Sequence, residues 1–446
     1  MSEFHTRTMK LKLTVLSEDK NGAWKRIRQI ANDAWKAANW IAGGQYLNDQ
    51  LVRRLYARRK IDAQKDADAV ARVEAEFQSV FGTKRQATTE RDIKAAFPDL
   101  PPCVTNPMNQ VVVASYNKEK QDMLRGRRSL RTYREGMPVT TTKVSIEFSP
   151  DDSRGHHLLW RLGRHEHILF DIFYGRDKAN NRLTVQRILD GENDYCAPQI
   201  QLKNRDLFLL LPVKEPEREL GLDANLAVGV DLGLAVPAYV ALSKGEARRA
   251  IGSAEDFLRA RVQMQSRRRR LQRTLKATRG GKGRSAKMKA LDRIEEKEKA
   301  FARTYNHFVS KTVVDFAIQN RAGVIKMEML EGYGVDEPGS FVLRNWSYFD
   351  LQKDIEYKAK RVGIRVVKVD PYHTSQACSQ CGHYEQGQRK SQSEFVCAKC
   401  GAKLNADYNA ALNVARSDKV VKSKEQCEYY RQKAGQEEGS EGEQPR

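Results

Sequence analysis

Four cysteines constrain this chain more than any other feature, because Cys378-x2-Cys381 and Cys397-x2-Cys400, fifteen residues apart, can present four thiolates to one metal ion. Each pair can aim both sulfurs inward through a tight turn. Gly382 and Gly401, directly after the second cysteine of each pair, suit such turns. Four sulfurs close a tetrahedral shell and leave no position for water or substrate, so the expected ion is a structural Zn²⁺. His383 is expected to stay a loop histidine, and Cys103, Cys196 and Cys427 read as ordinary thiols.

Three carboxylates stand out against their surroundings. Asp231 interrupts the apolar run "LAVGVDLGLAV", where a buried charge costs several kcal/mol unless it is paired or coordinates a cation. Its other reading is a strand-end aspartate accepting hydrogen bonds in the Leu232-Gly233 turn. Glu328, in "GVIKMEML", shares a strand face with Val324 and Lys326, which also fits a solvated face. Asp407 shares a helical face with Ala410, Ala411 and Val414, a small apolar face that would carry it into a packed surface. Asn405 and Asp407 would equally suit the dipole of a helix start. Carboxylates brought together repel unless divalent cations lie between them, and hard oxygen ligands suit Mg²⁺. Two such ions about 4 Å apart can activate a water and steady the leaving oxygen of a phosphodiester.

The 446 residues allow about two or three domains. A net charge of +22, spread along the chain, favours a polyanion such as nucleic acid as partner. No apolar run approaches the roughly 18 residues of a membrane span. The start, "MSEFHTRTMKLKLTV", lacks the apolar core of a secretory signal, so a cytoplasmic protein without membrane contact is expected.

"MKLKLTVL" at 9–16 reads as a strand, and 22–135 as helical, with Trp24, Ile27, Ile30, Ala31, Ala34, Trp35 and Ala38 at steps of three and four. The prolines of "AAFPDLPPCVTNP" interrupt it before helix resumes to about Tyr133. From Val139 to Val213 strands are expected at "TTTKVSIEF", "HILFDIFY", "LTVQRIL" and "DLFLLLPV", and "KEPERELG" reads as a linker. Strands then alternate with helices, which implies an α/β sheet. Within it, a basic helical stretch from about Glu255 to Ala300, broken by "TRGGKGRS", puts Arg267, Arg270 and Arg273 on one side. That side is either phosphate-facing or merely solvated.

"VGVDLGLAVPAYVAL", "VIKMEML", the CxxC pairs and "NADYNAALNVA" resemble the catalytic segments and zinc knuckle of a RuvC-like nuclease. More closely, from about Gly221 to Ala415, the chain resembles the miniature type V-F CRISPR effectors, relatives of the transposon-encoded RNA-guided nuclease TnpB. The resemblance implies a multidomain α+β protein. A wedge β-barrel (1–21 and 137–213) would receive a helical recognition domain (22–136), followed by a linker (214–220). An RNase H-like RuvC domain (221–372 and 403–420) would carry a zinc-binding, target-nucleic-acid-binding insertion (373–402), and 421–446 would be a disordered tail. The resemblance further implies that Asp231, Glu328 and Asp407 hold two catalytic Mg²⁺ ions in a single site that cuts both DNA strands. Arg389 would reach toward the scissile phosphate, unless it is only a solvated loop arginine. The implied partners are a guide RNA and target double-stranded DNA bearing a short adjacent motif, commonly with two protein copies on one guide RNA. Competing readings are TnpB itself, a nuclease-silent RNA-guided repressor, a guide-free junction resolvase and a zinc-ribbon DNA-binding factor. The intact Asp, Glu, Asp set speaks against the silent repressor, and the zinc-ribbon factor leaves the buried carboxylates unexplained.

Overall fold

Alternating apolar residues draw the first strand, β1 (Phe4–Val15), into a core: Met9, Leu11, Leu13 and Val15 are buried while their neighbours are not. The computed structural model describes residues 4–84, 87–151, 155–203, 205–216, 220–233, 236–330, 348–391, 393–423 and 426–427. Within these the chain forms two units, divided between Glu215 and Pro216.

In the first unit β1 is followed by helices α1 (Lys20–Arg58), α2 (Ala67–Phe81), α3 (Thr88–Ala96) and α4 (Pro102–Leu124). Next come β2 (Val139–Thr140), β3 (Ile146–Asp151), β4 (Gly155–Arg161), β5 (His167–Phe173), α5 (Lys178–Leu189), β6 (Asp194–Tyr195), β7 (Gln199–Lys203) and β8 (Asp206–Pro216). The sheet order is β2-β7-β8-β1-β5-β4-β3, with β6 paired to β8. Both neighbours of β1 therefore lie beyond the helices in sequence. Asp19 caps α1 by accepting the Gly22 N–H at 2.8 Å, and Ile27, Ile30, Ala34, Ala38 and Ile41 form its buried stripe. Trp24, Ala31 and Trp35, expected on that face, are only half-buried.

Several expectations need correction here. "LTVQRIL" belongs to α5, not to a strand: Thr184 and Val185 are buried, with Ile188 and Leu189 packed beside them, a helical spacing that outweighs its β-branched residues. The proline-rich break ends early, since α4 starts with Pro102 in its first turn and carries Pro107 inside, and it stops at Leu124, not near Tyr133. Residues 214–216 are strand, not linker, because Lys214 pairs with Asp194 of β6 in register and by an ion pair of 3.0 Å.

The second unit opens with β9 (Asp223–Asp231), β10 (Ala238–Leu242) and β11 (Arg248–Ile251), then α6 (Ala254–Lys276) and α7 (Gly281–Gln319). It continues through β12 (Ala322–Glu328), α8 (Tyr348–Lys360), β13 (Arg365–Val369), β14 (Phe395–Val396), β15 (Lys403–Leu404) and α9 (Ala406–Arg416). The five-stranded order is β11-β10-β9-β12-β13; the first three strands pair antiparallel, while β12 runs parallel to β9 and β13 to β12. Parallel neighbours need a long crossover, which α6 and α7 provide between β11 and β12. Gly280 (φ 58°) makes the turn between those helices. Val228, Val230, Ile325 and Met327 pack with Val309, Val313, Leu351 and Ile355, while α9 covers the opposite face of β9. Burial on both faces explains the continuous apolar run around Asp231.

Val421 and Cys427 are buried with Met329, so the expected disordered tail does not begin at 421; residues 428–446 lie outside the described residues. Among the described residues no helix is long and apolar enough to cross a membrane.

Candidate active site and metal centre

Asp231 and Glu328 are the last residues of β9 and β12. These strands run parallel with Val230 opposite Met327, so one step further the two carboxylates leave adjacent strand ends on the same face, on strands about 4.8 Å apart.

The third carboxylate arrives on α9. Asn405 caps this helix, accepting the Tyr408 N–H at 2.9 Å, and Asp407 sits in its first turn with 5% exposure. Gly229 sets where the helix lies: a Cβ at this position would stand 2.0 Å from the Ala411 carbonyl oxygen and 2.4 Å from the Ala415 nitrogen. Asp407, Ala411 and Ala415 recur every four residues on one helical face, and Asp231 lies two residues beyond Gly229 on the same strand face. One helical turn, about 5.4 Å, nearly matches two strand residues, about 6.6 Å. The charge of Asp407 is accordingly felt at Asp231.

The electrostatics follow from this convergence. Burial lifts the Asp231 pKa well above the ordinary carboxylate value, the charges of Glu328 and Asp407 lift it further, and Arg389 opposes them. Glu328 is raised by burial against the Thr374 hydroxyl and Arg389, with Asp370 adding to the rise. Asp407 is raised by burial, again against Arg389. Arg389 is the counter-charge common to all three, and its Nη2 donates to Asp407 Oδ1 at 2.8 Å. It is not the free loop arginine that was the alternative. The Lys390 and Ser391 amides both donate to the Glu394 carbonyl, and Arg389 itself pairs with Phe395 of β14.

The four cysteines lie together in the same unit. Their ligand atoms are all within 4.8 Å of one another, and Cys378 Sγ–Cys400 Sγ and Cys381 Sγ–Cys397 Sγ measure 3.7 Å and 3.6 Å. A tetrahedron with Zn–S bonds of about 2.3 Å has edges of about 3.8 Å, so this donor set fits a four-coordinate ion. The Cys400 N–H, 3.5 Å from the Cys397 sulfur, is the main cause lowering that thiol to about 6. At Cys400, by contrast, the Ala402 N–H is outweighed by the Cys381, Cys397 and Cys378 sulfurs, which push it up to about 12, as expected of four sulfurs packed this close. His383 is turned to Glu385 at 3.2 Å. Among the described residues the cysteines are the one such set gathered within 4.8 Å; the carboxylates are spread more widely. Three desolvated carboxylates, two of which lift the third, Asp231, nevertheless form an oxygen donor set that divalent cations would relieve.

Polar side chains not singled out in the sequence join the two groups. The Thr374 hydroxyl donates to Glu328 Oε1. Asn413 Nδ2 donates to the Thr374 and Ala377 carbonyls, each at 2.8 Å. Asn409, fully buried, receives the Ser379 N–H and donates to the Ala377 carbonyl, also at 2.8 Å. Gln388 donates to the His383 carbonyl at 3.1 Å and accepts the Ala398 N–H at 3.0 Å, bridging the two knuckles. Asp370, 3% exposed, directly follows Val369, the register partner of Glu328, and its charge is felt at Glu328. The readable signals are two asparagines among the alanines of α9, since buried amides need partners, and a glycine inside an apolar strand.

Arg267, Arg270 and Arg273 are exposed on α6, as are Arg268 and Arg269; among the described residues none of them hydrogen-bonds to the carboxylates. Arg268 instead reaches the buried Glu298 of α7 at 3.5 Å.

Residues 348–414 match the family model described as the Cas12f1-like TNB domain. Over 327 residues, 69% of this chain and 74% of the relative, the chain is 36% identical to the CRISPR-associated endodeoxyribonuclease Cas12f1 of Sulfoacidibacillus thermotolerans. It is 32% identical to Cas12f1 of Syntrophomonas palmitatica over 319 residues, 63% of this chain and 62% of that one. A shorter match, 36% over 83 residues and 18% of each chain, is to the TnpB-like protein ORF457 of Acidianus two-tailed virus. In fold, the chain is similar to the protein in a cryo-EM structure of a Cas12f1–sgRNA–target DNA complex. The TM-score is 0.70 at 19% identity, over 94% of this chain and 100% of that one.

Proposed function

The chain belongs to the Cas12f family of CRISPR-associated endodeoxyribonucleases, and we propose that it is an RNA-guided nuclease cutting double-stranded DNA in one carboxylate site. The observation that carries this reading is the convergence of Asp231, Glu328 and Asp407 at two parallel strand ends and a helix start. The match to Cas12f1 spans 69% of the chain and the match to a TnpB-like protein 18%, which favours a CRISPR guide over a transposon-derived one.

In this reading Asp231, Glu328 and Asp407 hold two Mg²⁺ ions, and Cys378, Cys381, Cys397 and Cys400 hold one structural Zn²⁺. When bound, the Mg²⁺ pair supplies activation of the attacking water and stabilisation of the leaving oxygen. The strand ends keep Asp231 and Glu328 at a fixed separation, and α9 delivers Asp407 from the side. Arg389 pairs with Asp407 through Nη2, and the remaining N–H donors of its guanidinium fork would be available to the scissile phosphate. Exposed arginines of α6 grip a nucleic-acid backbone without reading its sequence.

The domain assignment follows the same reading. Residues 1–21 and 137–216, extended by the end of β8, form the wedge barrel, 22–136 the recognition domain, 221–372 and 403–420 the RuvC-like nuclease, and 373–402 the zinc-binding insertion. The partners are a guide RNA and target DNA with a short adjacent motif, two protein copies can share one guide, and the setting is the prokaryotic cytoplasm.

The test is guided cleavage of a matched plasmid by wild type and Asp231→Ala. The variant should lose cutting by at least about 10³-fold while still binding the guided target. Undiminished cutting would move the active site elsewhere.

A further inference from the structure

We propose that Thr374 is a positioning residue for Glu328, and that through it the folded cysteine module holds one carboxylate of the active site in place. This rests on the nuclease reading above, and the geometry is local to the second unit.

Glu328 ends its strand, and the Met329 N–H just beyond it still donates to the Val369 carbonyl at 2.9 Å, so the backbone is held while the side chain needs a partner of its own. Its backbone is held on one side by Gln352, whose Nε2 donates to the Glu328 carbonyl at 2.8 Å. Its Oε1 receives the hydroxyl of Thr374, a residue only 7% exposed. A hydroxyl has one proton, and the Pro371 carbonyl at 2.9 Å is a second acceptor within reach. An ionised carboxylate is the stronger acceptor, so the proton goes to Glu328 whenever that group is charged. With Oε1 held by Thr374, the remaining lone pairs, chiefly those of Oε2, are left for a cation.

Thr374 is itself held by α9 and, further along the same segment, by the knuckle. Asn413 ties its carbonyl to α9 and, with Asn409, ties the Ala377 carbonyl next to Cys378. Arg416 Nη1 reaches the Ser379 carbonyl at 2.8 Å, and the Cys378 N–H donates to the His383 carbonyl at 2.9 Å. His373, directly before Thr374, has φ 62°, a conformation that a non-glycine residue keeps only where its surroundings impose it. The segment from Asp370 to Cys378 is thus a short bridge, held at one end by the Lys419 carbonyl and at the other by the knuckle, with Thr374 touching Glu328 midway.

Outer residues of this kind typically set metal affinity or activity by about 10–100-fold. Thr374→Val keeps the shape and removes the donor, whereas Thr374→Ser restores it. The experiment uses the full chain with its guide RNA, and measures Mn²⁺ affinity by EPR titration, guided cleavage rate and zinc content. Thr374→Val should weaken Mn²⁺ binding and slow cleavage by about 10–100-fold at unchanged zinc content and guided DNA binding. Thr374→Ser should lie within about threefold of wild type on both counts, a rescue that a merely packing role for the methyl group would not require. Wild-type Mn²⁺ affinity and cleavage in Thr374→Val would overturn the proposal. So would equal losses in the serine variant. If the wild-type protein cuts no DNA, the nuclease reading falls while the Mn²⁺ titration still decides the role of Thr374.

Discussion

Replacing Gly229 by alanine tests whether the contact between β9 and α9 sets the site. The backbone of Gly229 is not in the left-handed region, so alanine meets no conformational penalty there, only a spatial one. The added Cβ would lie 2.0 Å from the Ala411 carbonyl oxygen, 2.4 Å from the Ala415 nitrogen and 2.8 Å from the Ala415 Cα. An ordinary carbon–oxygen contact is about 3.3 Å, so the helix must retreat by about 1.3 Å. All three obstacles are backbone atoms, which cannot swing aside as a side chain would. Overpacking of this kind costs about 1–3 kcal/mol, or a fall in Tm of about 2–10 °C for a unit of this size. Asp407 rides on the displaced helix four residues before Ala411, and a misplacement of about 1 Å in an active site costs about 10²-fold in rate. The assays are calorimetric melting and guided plasmid cleavage, with Gly43→Ala as control because nothing lies within 4 Å of a Cβ there. The control should be neutral or stabilised by up to about 1 kcal/mol, since alanine is the better helix former. A Gly229→Ala protein with wild-type Tm and cleavage rate would refute the claim that this contact places Asp407.

Three further outcomes follow from the site. Burial and acidic neighbours raise the Asp231 pKa, so in Mg²⁺-free, zinc-loaded protein its contribution to stability is complete below the unfolded value of about 3.9 and is lost as pH rises through the folded value. Asp231→Asn should therefore raise Tm at pH 7 by more than it does near pH 4; an equal Tm for variant and wild type at pH 7 would count against the repulsion. Arg389→Ala should slow guided cleavage by about 10²-fold without weakening target binding, and Arg389→Lys should recover only part, because an ammonium cannot fork across two oxygens. Unchanged single-turnover rates would leave Arg389 as a structural partner of Asp407. Replacing Arg267, Arg270 and Arg273 together by alanine should reduce the slope of log affinity against log salt for guide RNA by about 2–3. An unaltered slope would make α6 a solvated helix.

The parts of the site legible in sequence are those whose chemistry clashes with their neighbours. Asp231 breaks an apolar strand, and Asp407 sits on a face of small apolar residues, so each needs a partner wherever the chain folds. Cysteine spacing is equally local, since two C-x2-C turns carry most of the ligand geometry in their own backbone. The error at "LTVQRIL" has the same origin in reverse. Its β-branched residues speak for a strand locally, whereas Thr184 and Val185 are buried one turn before Ile188 and Leu189, a pattern that needs the core before it can be read.

The amino-acid order by itself determined which groups need a partner: four thiols at ligand spacing, two carboxylates in apolar surroundings and an excess of basic residues. Tertiary structure alone decided what those groups meet. The parallel register of β9 and β12 brings Asp231 beside Glu328 across 97 positions of sequence, and Gly229 lets α9 close enough to add Asp407. Thr374, Asn409 and Asn413 carry no motif, because a hydroxyl or amide becomes informative only when the atom it bonds is known. Strand register and helix contact distance belong to pairs of distant segments, and no single stretch of the chain contains them.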